Sequence, residues 1–163
     1  MLLFNRRWFL FGVLPLAACG FEPIYGVDKP ANRIRGKINV DVSNGRNAFE
    51  LRDRLNERLG APEGTPIYIL KYKTNVESKN LTISKDNDVT RYTLQGETSF
   101  ELIDISTQKV VYKNNIVSNT AYSATAGTYP TAIAERDANV RLSRDMADKI
   151  VTLLLITAKD WLE

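Results

Sequence analysis

Residues 91–102 read Arg-Tyr-Thr-Leu-Gln-Gly-Glu-Thr-Ser-Phe-Glu-Leu, and their alternation decides the fold. Tyr92, Leu94, Phe100 and Leu102 fall on even positions, while Arg91, Thr93, Gln95, Glu97 and Glu101 fall on odd ones. Successive side chains of an extended chain point to opposite faces, so this is a strand with one covered and one wet face. Such one-sided strands belong to antiparallel sheets backed by a second layer rather than to parallel sheets covered on both faces.

The pattern continues on both sides. From Ile67, Tyr68, Leu70, Tyr72 and Val76 share one face, with Lys71, Lys73 and Glu77 on the other. Downstream, Ser106-Thr107-Gln108-Lys109 makes a hairpin turn into Val110-Val111-Tyr112, and the strand continues through Ile116 and Val117. Strands joined this closely are expected to be antiparallel neighbours. Further upstream, Ile38, Val40 and Val42 alternate with Asn39 and Asp41 as a short strand, and Ser43-Asn44-Gly45 turns the chain. Asn47 and Glu50 have the spacing of a capping box, with Ala48, Leu51, Leu55 and Leu59 behind them on one helical face. Gly60, Pro62 and Pro66 end that helix. From Thr131 to Glu163 a long amphipathic helix is expected, with Ala138, Leu142, Met146, Ile150, Leu153, Leu154, Thr157 and Trp161 at the 3-4 spacing of its covered face. The order is β-α-β-β-β-α. One apolar face per element predicts an α+β fold: a two-layer sandwich with a mainly antiparallel four-stranded sheet and two helices on one face.

Composition narrows the chemistry. The 163 residues are 44% apolar and 25% charged, as in a globular domain. There is no histidine, and Cys19 is the only cysteine. Ser-His, Cys-His and His-zinc chemistry are therefore excluded, along with an internal disulfide or a CxxC site. A G-x-S-x-G elbow, an S-x-x-K pair and paired carboxylates in apolar settings do not stand out. Asp86, Asp88, Thr90 and Glu97 match part of a calcium-loop spacing, but Arg91 stands where that loop needs glycine. The sequence predicts no enzyme, no metal and no cofactor.

The N-terminus has its own pattern. Arg6 and Arg7 precede an apolar run from Trp8 to Ala18, too short for the ~20 residues of a membrane-spanning helix. It reads as a signal peptide over residues 1–18. Leu16-Ala17-Ala18-Cys19 resembles the lipobox of bacterial lipoproteins, which implies cleavage before Cys19 and acylation of its thiol. Each buried CH₂ of an acyl chain contributes ~0.8 kcal/mol to membrane anchoring. Arg6-Arg7-Trp8-Phe9-Leu10 also resembles a twin-arginine motif, although paired arginines are common in Sec signals too. Gly20 stands where an Asp would resemble an inner-membrane retention signal, which favours the outer membrane. Residues 19–36 are expected to be a lipidated N-terminus and tether, and 37–163 a single domain. The mature chain would carry 20 basic against 19 acidic residues, which argues against a nucleic-acid partner.

Cys19 to Gly26, Cys-Gly-Phe-Glu-Pro-Ile-Tyr-Gly, together with this order of elements, resembles the lipopolysaccharide-assembly lipoprotein family LptE. The resemblance implies a lipid-anchored, periplasm-facing, non-enzymatic protein at the outer membrane. It also implies two partners, the β-barrel LptD, which LptE plugs, and lipopolysaccharide itself. An auxiliary lipoprotein of an ABC-type lipid transporter has a similar size and layout. Within the domain, Lys79, Lys85 and Arg91 flank Leu81 and Ile83, expected in the loop between the second and third strands. Cations beside apolar groups suit a phosphorylated, acylated glycolipid, and these three are the candidate lipopolysaccharide-binding residues. The Asn114–Tyr129 stretch, rich in Tyr, Thr and Asn, is the candidate for meeting a polar barrel wall.

Overall fold

In the computed structural model, a four-stranded sheet of order β1-β2-β3-β4 carries its helices on one face. The structure describes residues 30–41, 46–62, 64–83, 89–124 and 127–162. The elements are α1 (Pro30–Ile34), β1 (Ile38–Val40), α2 (Arg46–Leu59), β2 (Tyr68–Ile83), β3 (Val89–Asp104), β4 (Val110–Ser123), α3 (Thr128–Ile156) and α4 (Ala158–Trp161). β1 runs parallel to β2 through the α2 crossover, and the β2–β3 and β3–β4 pairs are antiparallel. The α+β, mainly antiparallel sandwich expected from the alternation is the observed fold.

Register explains the core. Leu70 lies opposite Leu102, which lies opposite Tyr112; Tyr72 lies opposite Phe100. These even positions share the covered face, and Leu70, Phe100 and Leu102 are fully buried under Leu51 and Leu55 of α2 and Leu142, Met146, Ile150 and Leu154 of α3. α2 packs on α3, β1 and β2, whereas α3 lies along β3 and β4. Gly96 permits the closest approach, since a Cβ there would sit 2.7 Å from the Met146 sulfur. The polar groups of this face are satisfied internally. The buried Thr98 hydroxyl donates to the Met146 sulfur at 3.3 Å and shares a hydrogen bond with Thr74, and the Tyr72 hydroxyl donates to the Ala48 carbonyl at 2.6 Å.

Four local expectations change. The stretch expected as tether ends in α1, whose Ala31 and Ile34 are buried, so the packed unit includes residues before 37. Gly36, at φ 69°, turns the chain and donates its N–H to the Leu59 carbonyl at 2.9 Å. α2 begins at Arg46, which puts Asn47 inside its first turn rather than at the cap of a capping box. The final helix starts at Thr128 and breaks at Thr157, whose hydroxyl and N–H both turn back to the Leu153 carbonyl. That break lets Trp161 in α4 meet Tyr68 edge-on, with centroids 5.4 Å apart. Finally, β2 continues to Ile83, so Lys79, Leu81 and Ile83 belong to a paired strand and not to a loop. The turn at 106–109 is as expected: Asp104 accepts from the Ser106 hydroxyl and the Thr107 N–H, and chiefly the Ser106 bond holds its carboxyl below the usual range.

Candidate functional site

The helices do not cover the sheet evenly. α2, with 14 residues, extends about 21 Å, whereas the 16 residues of β2 extend about 54 Å. Where the N-terminal turn of α2 gives out, an open cleft of about 850 Å³ lies between α2 and the first half of α3. Val76 and Leu94 form its floor, and Phe49, Ala132 and Val140 its apolar walls. Glu50, Ser78, Glu135, Arg136 and Asn139 bring polar groups to the same space. Phe49 is 53% exposed, with the Arg52 guanidinium 5.0 Å from its ring centroid.

The aromatic pair Tyr92–Tyr122 belongs to this end of the sheet, stacked with centroids 5.1 Å apart. Burial first, then the charge of Glu135, pushes the Tyr122 phenol above its ordinary range, and a hydrogen bond with Ser78 offsets part of that rise. The cleft therefore joins a neutral aromatic margin, an apolar floor and carboxylates on both helices. It can hold an amphipathic group, and its two carboxylates against one guanidinium disfavour an anionic one.

The sequence-derived candidates lie elsewhere. Lys79 and Arg91 are exposed on the wet face of the sheet. Lys79 pairs in register with Thr93, two positions along β3 from Arg91, so the fold brings these two cations to one patch. Lys79 is not free there: its ammonium donates to Gln95 at 3.1 Å and lies 4.0 Å from Glu77. Lys85 and Cys19 lie outside the described residues, as do Asp86 and Asp88 of the partial calcium spacing. Asn114 to Ser123 form most of β4, while Tyr129, in the first turn of α3, is 76% exposed.

The sequence reading missed the cleft because Val76, Leu94, Ala132 and Val140 look like ordinary covered-face positions. A length comparison could have found it, since a helix of α2's length cannot roof strands of that length. Among the described residues no group of three or more Cys, Asp or Glu side chains could hold a metal ion, and no helix is long and apolar enough to cross a membrane.

Such a sandwich, with a long helix laid along an extended antiparallel sheet, is the architecture of a class of small bacterial lipoproteins. It matches a candidate lipoprotein from Caulobacter crescentus CB15 with a TM-score of 0.66 and 22% identity, covering 80% of this chain and 95% of that one. It also matches the rare lipoprotein B of Shewanella oneidensis with a TM-score of 0.55 and 13% identity, covering 75% and 94%. At these identities the likeness is one of fold. The family model of LptE, described as lipopolysaccharide-assembly, matches residues 36–154, and the chain belongs to that family. In sequence it is also similar to the uncharacterized protein RP188 of Rickettsia prowazekii (strain Madrid E), 25% identical over 141 residues, covering 86% of this chain and 89% of the relative.

Proposed function

We propose that this member of a lipopolysaccharide-assembly family works as an outer-membrane lipoprotein, acylated at Cys19, that partners the β-barrel LptD. The observation that carries this reading is the extent of the family match, residues 36–154, which takes in the whole sheet and nearly all of α3. The domain acts by binding rather than catalysis. Without histidine, and with its one cysteine placed at the lipobox-like site, it has neither an imidazole base nor a second thiol for such chemistry. The barrel contact uses surfaces the core does not need, namely the β4 side of the sheet and the exposed start of α3 around Tyr129 and Ile133.

Lipopolysaccharide is the ligand of the three candidate cations. Lys79, Lys85 and Arg91 would hold its phosphates, with charge-assisted bonds contributing about 1.5–3 kcal/mol each. Since Lys79 already donates to Gln95 and sits beside Glu77, its share falls at the low end.

The test is affinity capture of the tagged full chain from membranes. A co-purifying outer-membrane β-barrel is the expected result. Recovery of inner-membrane ABC-transporter components alone would overturn it in favour of an auxiliary transporter lipoprotein. Cys19→Ser should leave uncleaved precursor and remove the lipid increment from the intact mass. Replacing Lys79, Lys85 and Arg91 with Glu should abolish lipopolysaccharide binding without unfolding the domain, because Lys79 and Arg91 are exposed strand positions, which contribute little to the core.

A further inference from the structure

From Lys29 to Val40 the chain carries four bases, Lys29, Arg33, Arg35 and Lys37, and no acid, with Asp28 and Asp41 on its flanks. The fold turns the described three outward. Ala31, Ile34, Gly36 and Ile38 are buried, and Arg33, Arg35 and Lys37, interleaved with them, are exposed. Since Ile34 is packed into the core, these cations are carried by the domain itself, and their direction is fixed with it. The Arg35 stem lies over Gly60, where an added Cβ would come 3.0 Å from its Cγ, and Arg35 and Arg58 border one small cavity at the ends of α2 and α3.

Among the described residues no carboxylate pairs with Arg35 or Lys37. Glu57 and Asp148 are engaged by Arg54, and Asp104 by its own turn. An aliphatic side chain adjoins the cations: Ile67 is 42% exposed, and its N–H donates to the Lys37 carbonyl at 2.9 Å. Bases beside an exposed apolar group match the interface of a bilayer, where anionic headgroups lie directly above the acyl chains. This surface belongs to the closed end of the sheet. α1 meets Leu59, Val151 and Leu155, whereas the cleft meets Ala132 and Asn139, Ala132 lying roughly 30 Å back along α3 from Val151.

We propose that Arg33, Arg35 and Lys37, with Ile67 beside them, dock this end of the domain on the anionic phospholipid headgroups of the membrane that holds the lipid anchor. The occupant follows from charge and from chain length. Cys19 and Pro30 are eleven residues apart, a span of at most ~40 Å, and α1 is the first described element that the anchor delivers to the membrane. An acidic protein surface would match the charges, but neither the exposed Ile67 nor an anchor so close in the chain. Docking there leaves the cleft end, the β4 side and the Lys79–Arg91 patch free of lipid. The proposal rests on acylation at Cys19 and is independent of the barrel contact.

The experiment extracts the full chain from membranes and reconstitutes it into phosphatidylcholine vesicles, with and without phosphatidylglycerol, that carry a lipid with a nitroxide quencher on its headgroup. One reporter cysteine takes a fluorophore, either Asn39→Cys beside Lys37 or Asn80→Cys towards the far end of β2, both exposed positions. Intact mass is read first. A chain without the lipid increment would overturn the acylation reading and the proposal together, whereas a lipidated chain that fails in the vesicles overturns the proposal alone. With phosphatidylglycerol, quenching at Asn39→Cys should exceed that at Asn80→Cys about threefold or more, and added salt should reduce the excess. Replacing Arg33, Arg35 and Lys37 with Gln, which keeps a Cγ over Gly60, should bring the two reporters together. Equal quenching at both reporters with the cations intact would overturn the proposal. So would the same excess in vesicles without phosphatidylglycerol, or an unchanged excess in a triple variant with native circular dichroism. Should that variant lose its fold, the comparison of the two vesicle compositions on the unaltered cations decides.

Discussion

β2 and β3 run through two different environments. At one end Tyr68, Leu70, Phe100 and Leu102 lie under α2, α3 and α4, each no more than 7% exposed. At the other end Val76 and Tyr92 are half-buried beside the 850 Å³ cleft, though their strand positions alternate in the same way. The difference is not in the strands. It comes from the helices above them, because α2 roofs only the end that β1 flanks. Alternation states which face is covered, and the length of the covering element states how far.

Substitutions can break or sharpen this contrast. Phe100→Ala, at the closed end, should cost about 3–5 kcal/mol in denaturant unfolding, since no neighbour is free to refill its place. Gly96→Ala, where the sheet passes closest to α3, should cost about 1–3 kcal/mol through the clash with Met146 and Leu142. Arg54 donates to both Asp148 oxygens at 3.1 and 3.0 Å and also pairs with Glu57, which ties α2 to α3. Asp148 is 37% exposed, so solvent screening limits Arg54→Ala to about 1 kcal/mol.

The open end should respond differently. Glu135→Gln should change stability by less than about 0.5 kcal/mol. Its effect should be seen in the Tyr122 titration, which phenolate absorbance would show moving down towards the ordinary tyrosine range, because one of the charges opposing ionisation is gone. A large stability loss in this variant would mean that the cleft is packing rather than surface.

The acid response is the smallest expected effect. Burial alone would raise the Asp145 carboxyl, but hydrogen bonds from Ser118 and Lys149, with the charge of Lys149, hold it below its ordinary value. A depressed folded pKa favours folding above the ordinary carboxylate range. That contribution is lost as pH falls through the folded value, and Asp145→Asn should flatten the acid limb of the stability curve without shifting the neutral plateau.

The sequence by itself determined which residues face the core. Tyr68, Leu70, Tyr72, Leu94, Phe100 and Leu102 are buried as their alternation requires, and Leu51, Leu55, Leu142, Met146 and Ile150 as their helical spacing requires. These are local rules, set by backbone periods of two and 3.6 residues. Of the candidate site, the residue types and the open face of Lys79 and Arg91 were legible, whereas Lys79's place in a paired strand, with Gln95 and Glu77 as neighbours, was not. The rest needed elements distant in the chain to meet. Only the tertiary structure decided that α1 joins the core, that Thr157 bends the last helix so that Trp161 reaches Tyr68, that a short α2 leaves a cleft, and that Arg141 and Lys149 reach β4 carbonyls twenty to thirty-two residues behind them. Periodicity fixes the direction of a side chain, but what it meets depends on the lengths and offsets of the elements packed against it.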